Sequence, residues 1–265
     1  MTDTIRFDDG AAYERYMGVW SQCAGEVFLD WLAPDPGLRW LDVGCGNGAF
    51  TEMLVQRCAP SSVDGLDPSA EQLAYARTRP ALSGARLHQG DAMSQPFPDH
   101  SFDVAVIPLA IFFLSEPSRG VAEMARVVAP EGIVSGYAWD MTGGGFPYDA
   151  LVEEMRALGT AVARPPTPEA SRLDALHALW TENGLNEIET REIHVRRVFT
   201  DFDEYWTIIC GSPSAGPRLR AMTAQDAELL KSRLRDRLQP GRTGRIECTA
   251  RANAVKGRVP LDGPS

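Results

Sequence analysis

From Leu38 to about Trp139 the chain switches repeatedly between two hydrophobic periods. Five short apolar runs have the length and the bounding turn residues of buried strands: Trp40–Val43, SSVDGLD ending at Asp67, a stretch around Ala85–Gln89, FDVAVI and GIVSGYAW. Between them the spacing becomes helical. Phe50, Met53 and Leu54 follow the first run, and SAEQLAYAR opens on Ser69 with Gln72 three residues later, a capping box. Val121, Met124, Ala125 and Val128 share one face behind Pro117, which suits a first turn, and APEG is expected to end that helix. Strands joined by helical crossovers predict a mostly parallel, doubly wound α/β sheet, because parallel neighbours need such connections and make them right-handed. Ligands bind such sheets beyond the carboxyl ends of the strands.

After Trp139 the pattern is less regular. MTGGGF reads as a joint, 148–163 as a helix, and Thr167-Pro168 as the start of another that runs to about Glu182 and stops at Asn183-Gly184. Strand patterns occupy roughly 187–199 and 245–255. Between them lie the aromatic DFDEYW, the loop GSPSAGP and the charged helix TAQDAELLKSRLRDRLQ. No repeat and no long linker divides the chain, so 1–265 is expected to form one domain.

Composition narrows the classes. Of 265 residues, 44% are hydrophobic and 23% charged, which is ordinary for a globular protein, and no run approaches a membrane span. MTDTIRFDDG lacks the basic flank and apolar core of a signal peptide. The five cysteines include no CxxC pair, and His88, His100, His177 and His194 have no ligand spacing, so neither zinc nor a disulfide framework is expected. A reducing cytoplasm fits. The net charge of −10 argues against nucleic acid, which demands a clustered basic surface. The arginines at 233, 235, 237, 242 and 245 are interspersed with Glu228 and Asp236 and read as a solvated helix face.

The chemistry concentrates in WLDVGCGNGAF, residues 40–50, where a strand breaks into Gly44, Gly46 and Gly48 before a helix. Glycine permits positive φ and lets a ligand approach the backbone. The spacing is GxGxG rather than the dinucleotide GxGxxG, with Ala49 at the place of that fingerprint's last glycine. Asp42 precedes the turn, and a carboxylate there suits a cationic amine better than a pyrophosphate. LDVGCGNG, Asp67 ending the second strand and Asp91 after the third resemble, in order and spacing, the motifs of class I S-adenosylmethionine-dependent methyltransferases. The likeness covers roughly residues 38–140. FPDHSFDVAVIPLAIFFLSEPSRGVAEMARVVAPEG is most similar to the ubiquinone/menaquinone-biosynthesis branch and its small-molecule relatives.

That resemblance implies a Rossmann-like, seven-stranded sheet with its last strand antiparallel. It also implies an N-terminal helical lid (1–37), a cofactor core (38–140) and helical acceptor-side insertions (141–183 and 200–243). It places Gly44, Gly46 and Gly48, with the small Cys45, against the methionine and ribose of S-adenosylmethionine, and Asp42 at its amino group, directly or through water. Asp67 would accept both ribose hydroxyls, and Asp91 the adenine amine. Leu66, Pro68, Ser69, Ala92, Met93, Ile107 and Trp20 would flank the nucleoside. Such a cofactor carries its own activated methyl, so positioning dominates and no catalytic triad is required. Ile107-Pro108-Leu109-Ala110 departs from the Asp/Asn-Pro-Pro-aromatic motif of nucleic-acid amino-methyltransferases, which leaves a small molecule methylated on carbon, oxygen, nitrogen or sulfur. The expected acceptor pocket draws on Tyr13, Tyr16, Met17, Phe112, Phe113, Trp139, Tyr205 and Trp206. YERYMGVWS is the expected lid, and Asp140 or His194 the candidate base. Two other readings stay open, a cofactor-binding sensor without turnover and a nicotinamide dehydrogenase. Nothing in the sequence chooses between a monomer and a homodimer.

Overall fold

The computed structural model describes residues 14–160, 162–212, 215–241 and 243–261; Tyr13 and Arg242, singled out above, lie outside them. Seven strands form one sheet in the order β3-β2-β1-β4-β5-β7-β6. They are β1 (Arg39–Val43), β2 (Ser62–Asp67), β3 (Arg86–Gln89), β4 (Phe102–Pro108), β5 (Val128–Trp139), β6 (Asn186–Phe199) and β7 (Ile246–Arg258). The first five are parallel neighbours, and β7 runs antiparallel between β5 and β6. From β1 the chain winds outward to β2 and β3, and from β4 it winds the other way. That reversal opens a crevice at the carboxyl ends of β1 and β4.

Nine helices are described: α1 (Val19–Leu32), α2 (Ala49–Cys58), α3 (Ala70–Ala76), α4 (Pro117–Val127), α5 (Asp149–Ala157), α6 (Leu173–Glu182), α7 (Phe202–Cys210), α8 (Gly216–Ala221) and α9 (Ala224–Arg237). The capping box holds, since the Ser69 hydroxyl accepts the Gln72 N–H at 3.2 Å, and Pro117 starts α4. The arginines of α9 are ion-paired rather than merely solvated: Arg233 to Glu154, Arg237 to Glu153 and Glu154, and Arg235 to Asp203. Those pairs fasten α9 to α5 and α7.

Three boundaries differ from the sequence pattern. β5 begins at Val128, so APEG belongs to the strand. Val128 pairs with Phe102 across a register shift, and Glu131, at φ +64, donates its N–H to Val259 O at 2.9 Å. The helix expected from Thr167 breaks into a short 3-10 turn (Pro168–Ser171) and α6, with Arg172 extended between them. Distant partners cause the break: Ser171 Oγ accepts the Met141 N–H at 3.0 Å, and Asn253 donates to Ser171 O at 2.9 Å. Finally, α6 is no insertion. Fully buried Trp180 donates its indole N–H to Val134 O at 2.9 Å, which seats α6 on the sheet.

The N-terminal helix is likewise part of the core. Trp20, Ala24 and Phe28 of α1 are completely buried, and the Phe28 ring lies 4.7 Å from that of Tyr137 on β5. Its leading wide turn, through Glu14 and Gly18, and one helix face bearing Ser21, Gln22 and Glu26 reach the crevice. Among the described residues no helix is long and apolar enough to cross a membrane.

Candidate active site

The turn after β1 needs glycine for three different reasons. Gly44 (φ +75) donates its N–H to Leu66 O at 2.7 Å, and an added Cβ would stand 2.6 Å from Ala110 Cβ. Gly48 (φ +79) starts α2, and its Cβ would meet Leu82 Cδ1 at 2.6 Å and Ala76 Cβ at 3.0 Å. Gly46 (φ +52) donates its N–H to Asp67 Oδ2 at 2.9 Å, yet a Cβ there would find only Gln72 Oε1, at 4.0 Å. Of the three, Gly46 is the one whose Cβ position is open among the described residues, so its positive φ rather than packing favours glycine there. Gly48, expected at the cofactor, is not among the residues lining the crevice, and its bare Cβ position accommodates Leu82 and Ala76.

Asp67 ends β2 with each carboxylate oxygen engaged once, Oδ2 by Gly46 N–H and Oδ1 by Ser69 N–H at 2.9 Å. One lone pair per oxygen remains for a ligand, which matches a pair of adjacent hydroxyls. Burial pushes this carboxyl up, while the two backbone N–H groups pull it down. Asp91 Oδ1 accepts the Met93 N–H at 2.8 Å, closing a turn, and the residue lines the crevice.

Asp42 is a correction. Successive strand residues point to opposite faces, and it is Val43 that lines the crevice. Asp42 projects under the turn, is completely buried, and accepts the Thr51 hydroxyl of α2 at 2.6 Å through Oδ2. Its Oδ1 has no partner. Burial pushes its carboxyl up to about 7, against the Thr51 hydrogen bond and with help from Asp67. Direct contact with a ligand amine is not what this geometry offers.

The crevice is a cavity of about 790 Å³, within the size range of ligand pockets. Gly44, Cys45 and Gly46 form one wall. Asp67, Pro68 and Asp91 form another, with Ala92, Met93 and Ile107 closing it. Burial, with Asp42 and Asp67 nearby, pushes the Cys45 thiol far up, so it is a small packing residue rather than a nucleophile. Trp20 is absent from the wall; it is buried against Tyr148 at 6.3 Å, edge to face.

Sequence reasoning missed the clasp at the crevice mouth. Arg79 donates to Asn47 O at 2.7 Å, to Glu52 at 2.7 Å and to Glu14 at 2.9 Å, and Asn47 Nδ2 also donates to Glu14 at 2.9 Å. The clasp ties the wide N-terminal turn to the glycine loop. Its members lie 32 and 65 positions apart, so no local signal marked them.

A second cavity, of about 400 Å³, adjoins the first across Leu109 and Phe113, which line both. Leu109 holds φ +56, with its N–H on Tyr137 O at 2.7 Å. Tyr16, Met17, Phe112 and Trp139, four of the aromatic and apolar candidates from the sequence, line this space. Tyr205 and Trp206 do not. Tyr205 is core against Phe199 at 5.2 Å, and Trp206 stacks on Phe202 at 6.3 Å beneath Lys231.

Neither candidate base faces the cavities. Asp140 Oδ2 is held by Arg251 at 2.5 Å, and its Oδ1 accepts the Gly143 N–H at 2.8 Å. His194 is exposed on β6, beside Glu192 at 3.3 Å.

Residues 41–135 match the methyltransferase domain family. Over 96 residues, 36% of this chain, it is 41% identical to 2-methyl-6-phytyl-1,4-hydroquinone methyltransferase 2 of Oryza sativa, covering 28% of that protein. It is 33% identical to the malonyl-[acyl-carrier protein] O-methyltransferase of Pectobacterium atrosepticum over 46% of this chain and 47% of that one. With the ubiquinone/menaquinone biosynthesis C-methyltransferase of Roseobacter denitrificans it shares 35% identity over 40% and 44%. These matches span less than half of each relative. Among solved structures, the Haemonchus contortus phosphoethanolamine N-methyltransferase 2 complex with phosphomonomethylethanolamine and S-adenosylhomocysteine superposes with a TM-score of 0.59 at 19% identity, covering 96% of this chain and 58% of that one. The [4+2]-cyclase SpnF gives 0.52 at 20%, covering 89% and 80%. The fold therefore serves more than one chemistry. Over residues 41–135 this chain is thus similar to the methyltransferase domain family, and the sheet around them has the fold of these solved structures.

Proposed function

We propose that the protein binds S-adenosylmethionine in the larger cavity and directs its methyl to a small molecule held in the smaller one. The observation that carries this is Asp67, which presents two half-satisfied carboxylate oxygens to a cavity that the adjoining bare backbone of Gly46 also lines. A vicinal diol fits that pair of acceptors, and Asp91, also on the cavity wall, offers a carboxylate to an exocyclic amine. A diphosphate fits poorly, because Asp67 and Asp91 face the space and the nearby guanidinium of Arg79 is already occupied.

When bound, the cofactor supplies an activated methyl on a sulfonium. The chain supplies place and surroundings. Leu109 and Phe113 form an apolar partition at which the two cavities meet, and an acceptor held there in line is brought to reacting distance, worth several kcal/mol of barrier. The acceptor wall is mainly aromatic and aliphatic, which favours an apolar or aromatic molecule over a sugar or nucleic acid. Five unpaired cysteines and the lack of a membrane-crossing helix among the described residues support a reducing, aqueous compartment such as the cytoplasm.

Calorimetric titration with S-adenosylhomocysteine tests this reading. Binding in the micromolar range is expected, and Asp67→Ala weakens it at least about 100-fold, since two hydrogen bonds to a charged group are lost. No heat with wild-type protein, or equal affinity in the variant, overturns it.

A further inference from the structure

The second cavity contains a carboxylate that neither the sequence pattern nor the relatives single out. Asp149 opens α5 and lines the wall shared with Tyr16, Phe146 and Trp139. Its Oδ2 accepts the Phe146 N–H at 3.0 Å, and no ion pair with a described residue neutralises it. The other acids of that cavity differ. Glu153 is paired with Arg237, and Glu169 is exposed. Asp140, nearest in the chain to the methyl-facing end of β5, is locked by Arg251 and Gly143.

We propose that Asp149 receives the acceptor's proton, and hence that the acceptor is a largely apolar molecule whose nucleophile carries a hydrogen, an aromatic hydroxyl being the best fit to this wall. The inference rests on the reading of the larger cavity as the methyl donor's site. In the transfer, a lone pair of the acceptor forms the bond to the methyl carbon while the carbon–sulfur pair returns to sulfur. The hydroxyl proton passes to Asp149 Oδ1, leaving a neutral ether and a carboxylic acid that solvent later deprotonates. No oxidant or further reactant enters.

The surroundings suit that role. Burial is the main influence that pushes the Asp149 carboxyl up to about 6, with Glu153 and Asp140 adding to it and the Phe146 N–H and Arg156 opposing. Arg164 and Glu169 complete the charged groups of the cavity wall. A carboxylate in this range is ionised at neutral pH and is a better proton acceptor than an ordinary surface aspartate.

The test uses 2-naphthol, a fluorescent aromatic alcohol that keeps its proton between pH 5 and 8, added to the full chain saturated with S-adenosylhomocysteine. Affinity should rise as pH increases through about 6, as the ionised carboxylate becomes available to accept the hydroxyl. In Asp149→Asn, whose amide oxygen still accepts the Phe146 N–H, affinity at pH 7.5 should fall about tenfold, the low end for a hydrogen bond to a charged group, and its pH dependence should vanish. 2-Methoxynaphthalene, which lacks the proton, should bind both proteins equally. Absence of saturable 2-naphthol binding, an unchanged affinity in Asp149→Asn, or a pH dependence that survives the substitution overturns the proposal. Calorimetry with S-adenosylhomocysteine on both proteins separates the two inferences: loss of that binding in the wild type defeats the cofactor reading, whereas equal binding with unchanged naphthol affinity defeats only the role of Asp149.

Discussion

Adding one methyl group at Gly46 and at Gly48 should produce opposite phenotypes. Both residues hold positive φ, so alanine costs roughly 1–2 kcal/mol of backbone strain at either position. At Gly48 the new Cβ also collides with Leu82 and Ala76, at 2.6 and 3.0 Å. Overpacking of that kind adds about 1–3 kcal/mol, so Gly48→Ala should lose about 2–5 kcal/mol in all. At Gly46 the only neighbour is Gln72 Oε1 at 4.0 Å, so stability should fall by the strain alone while the methyl projects into the crevice. Differential scanning fluorimetry should show the larger drop for Gly48→Ala. Calorimetry with S-adenosylhomocysteine should show at least a tenfold weakening for Gly46→Ala and near-normal affinity for the folded fraction of Gly48→Ala. Wild-type affinity in Gly46→Ala, or equal stability losses in the two variants, would refute the division of labour assigned to these glycines.

Two further substitutions probe the buried acids. Burial holds Asp42 up to about 7 in the folded chain, whereas an unfolded aspartate titrates near 3.9. Between about pH 4 and 7 the folded state therefore keeps a proton that the unfolded state has lost, and wild-type stability falls as pH rises. Asp42→Asn removes this dependence, so its melting temperature relative to wild type should climb across that window, by the equivalent of a few kcal/mol, and level off above it. A difference constant with pH contradicts the assignment. Asp140→Ala leaves Arg251 without its main partner and should cost about 1–3 kcal/mol in chemical denaturation while leaving the affinity for S-adenosylhomocysteine unchanged; a weakened affinity would return Asp140 to the site.

Legibility tracked distance along the chain. Gly46 and Asp67 are joined by the pairing of neighbouring strands, and strand ends are visible in the apolar runs, so the core of the crevice could be read from residues 40–93. Asp42 was misjudged because its strand position was clear but its face was not; one residue of parity separates it from Val43 in the wall. The aromatic residues divided the same way. Tyr16 and Trp139 face the second cavity, while Trp20 and Trp206, equally attractive by type, turn into packing against Tyr148 and Phe202. Asp140 reads from the sequence as a candidate base, but Arg251, 111 positions away, holds it; Asp149 carried no signal in the sequence.

What the sequence determined by itself is the order of strands and helices and the acids and glycines at the strand ends, because these follow from local periodicity and short turns. Only the tertiary structure decided which carboxylates are neutralised and which remain available, and where the second cavity opens. That space is walled by Tyr16, Leu109, Trp139 and Asp149, brought from four separate segments. A side chain's partner and its dielectric surroundings depend on such remote neighbours, and no periodicity along the chain encodes them.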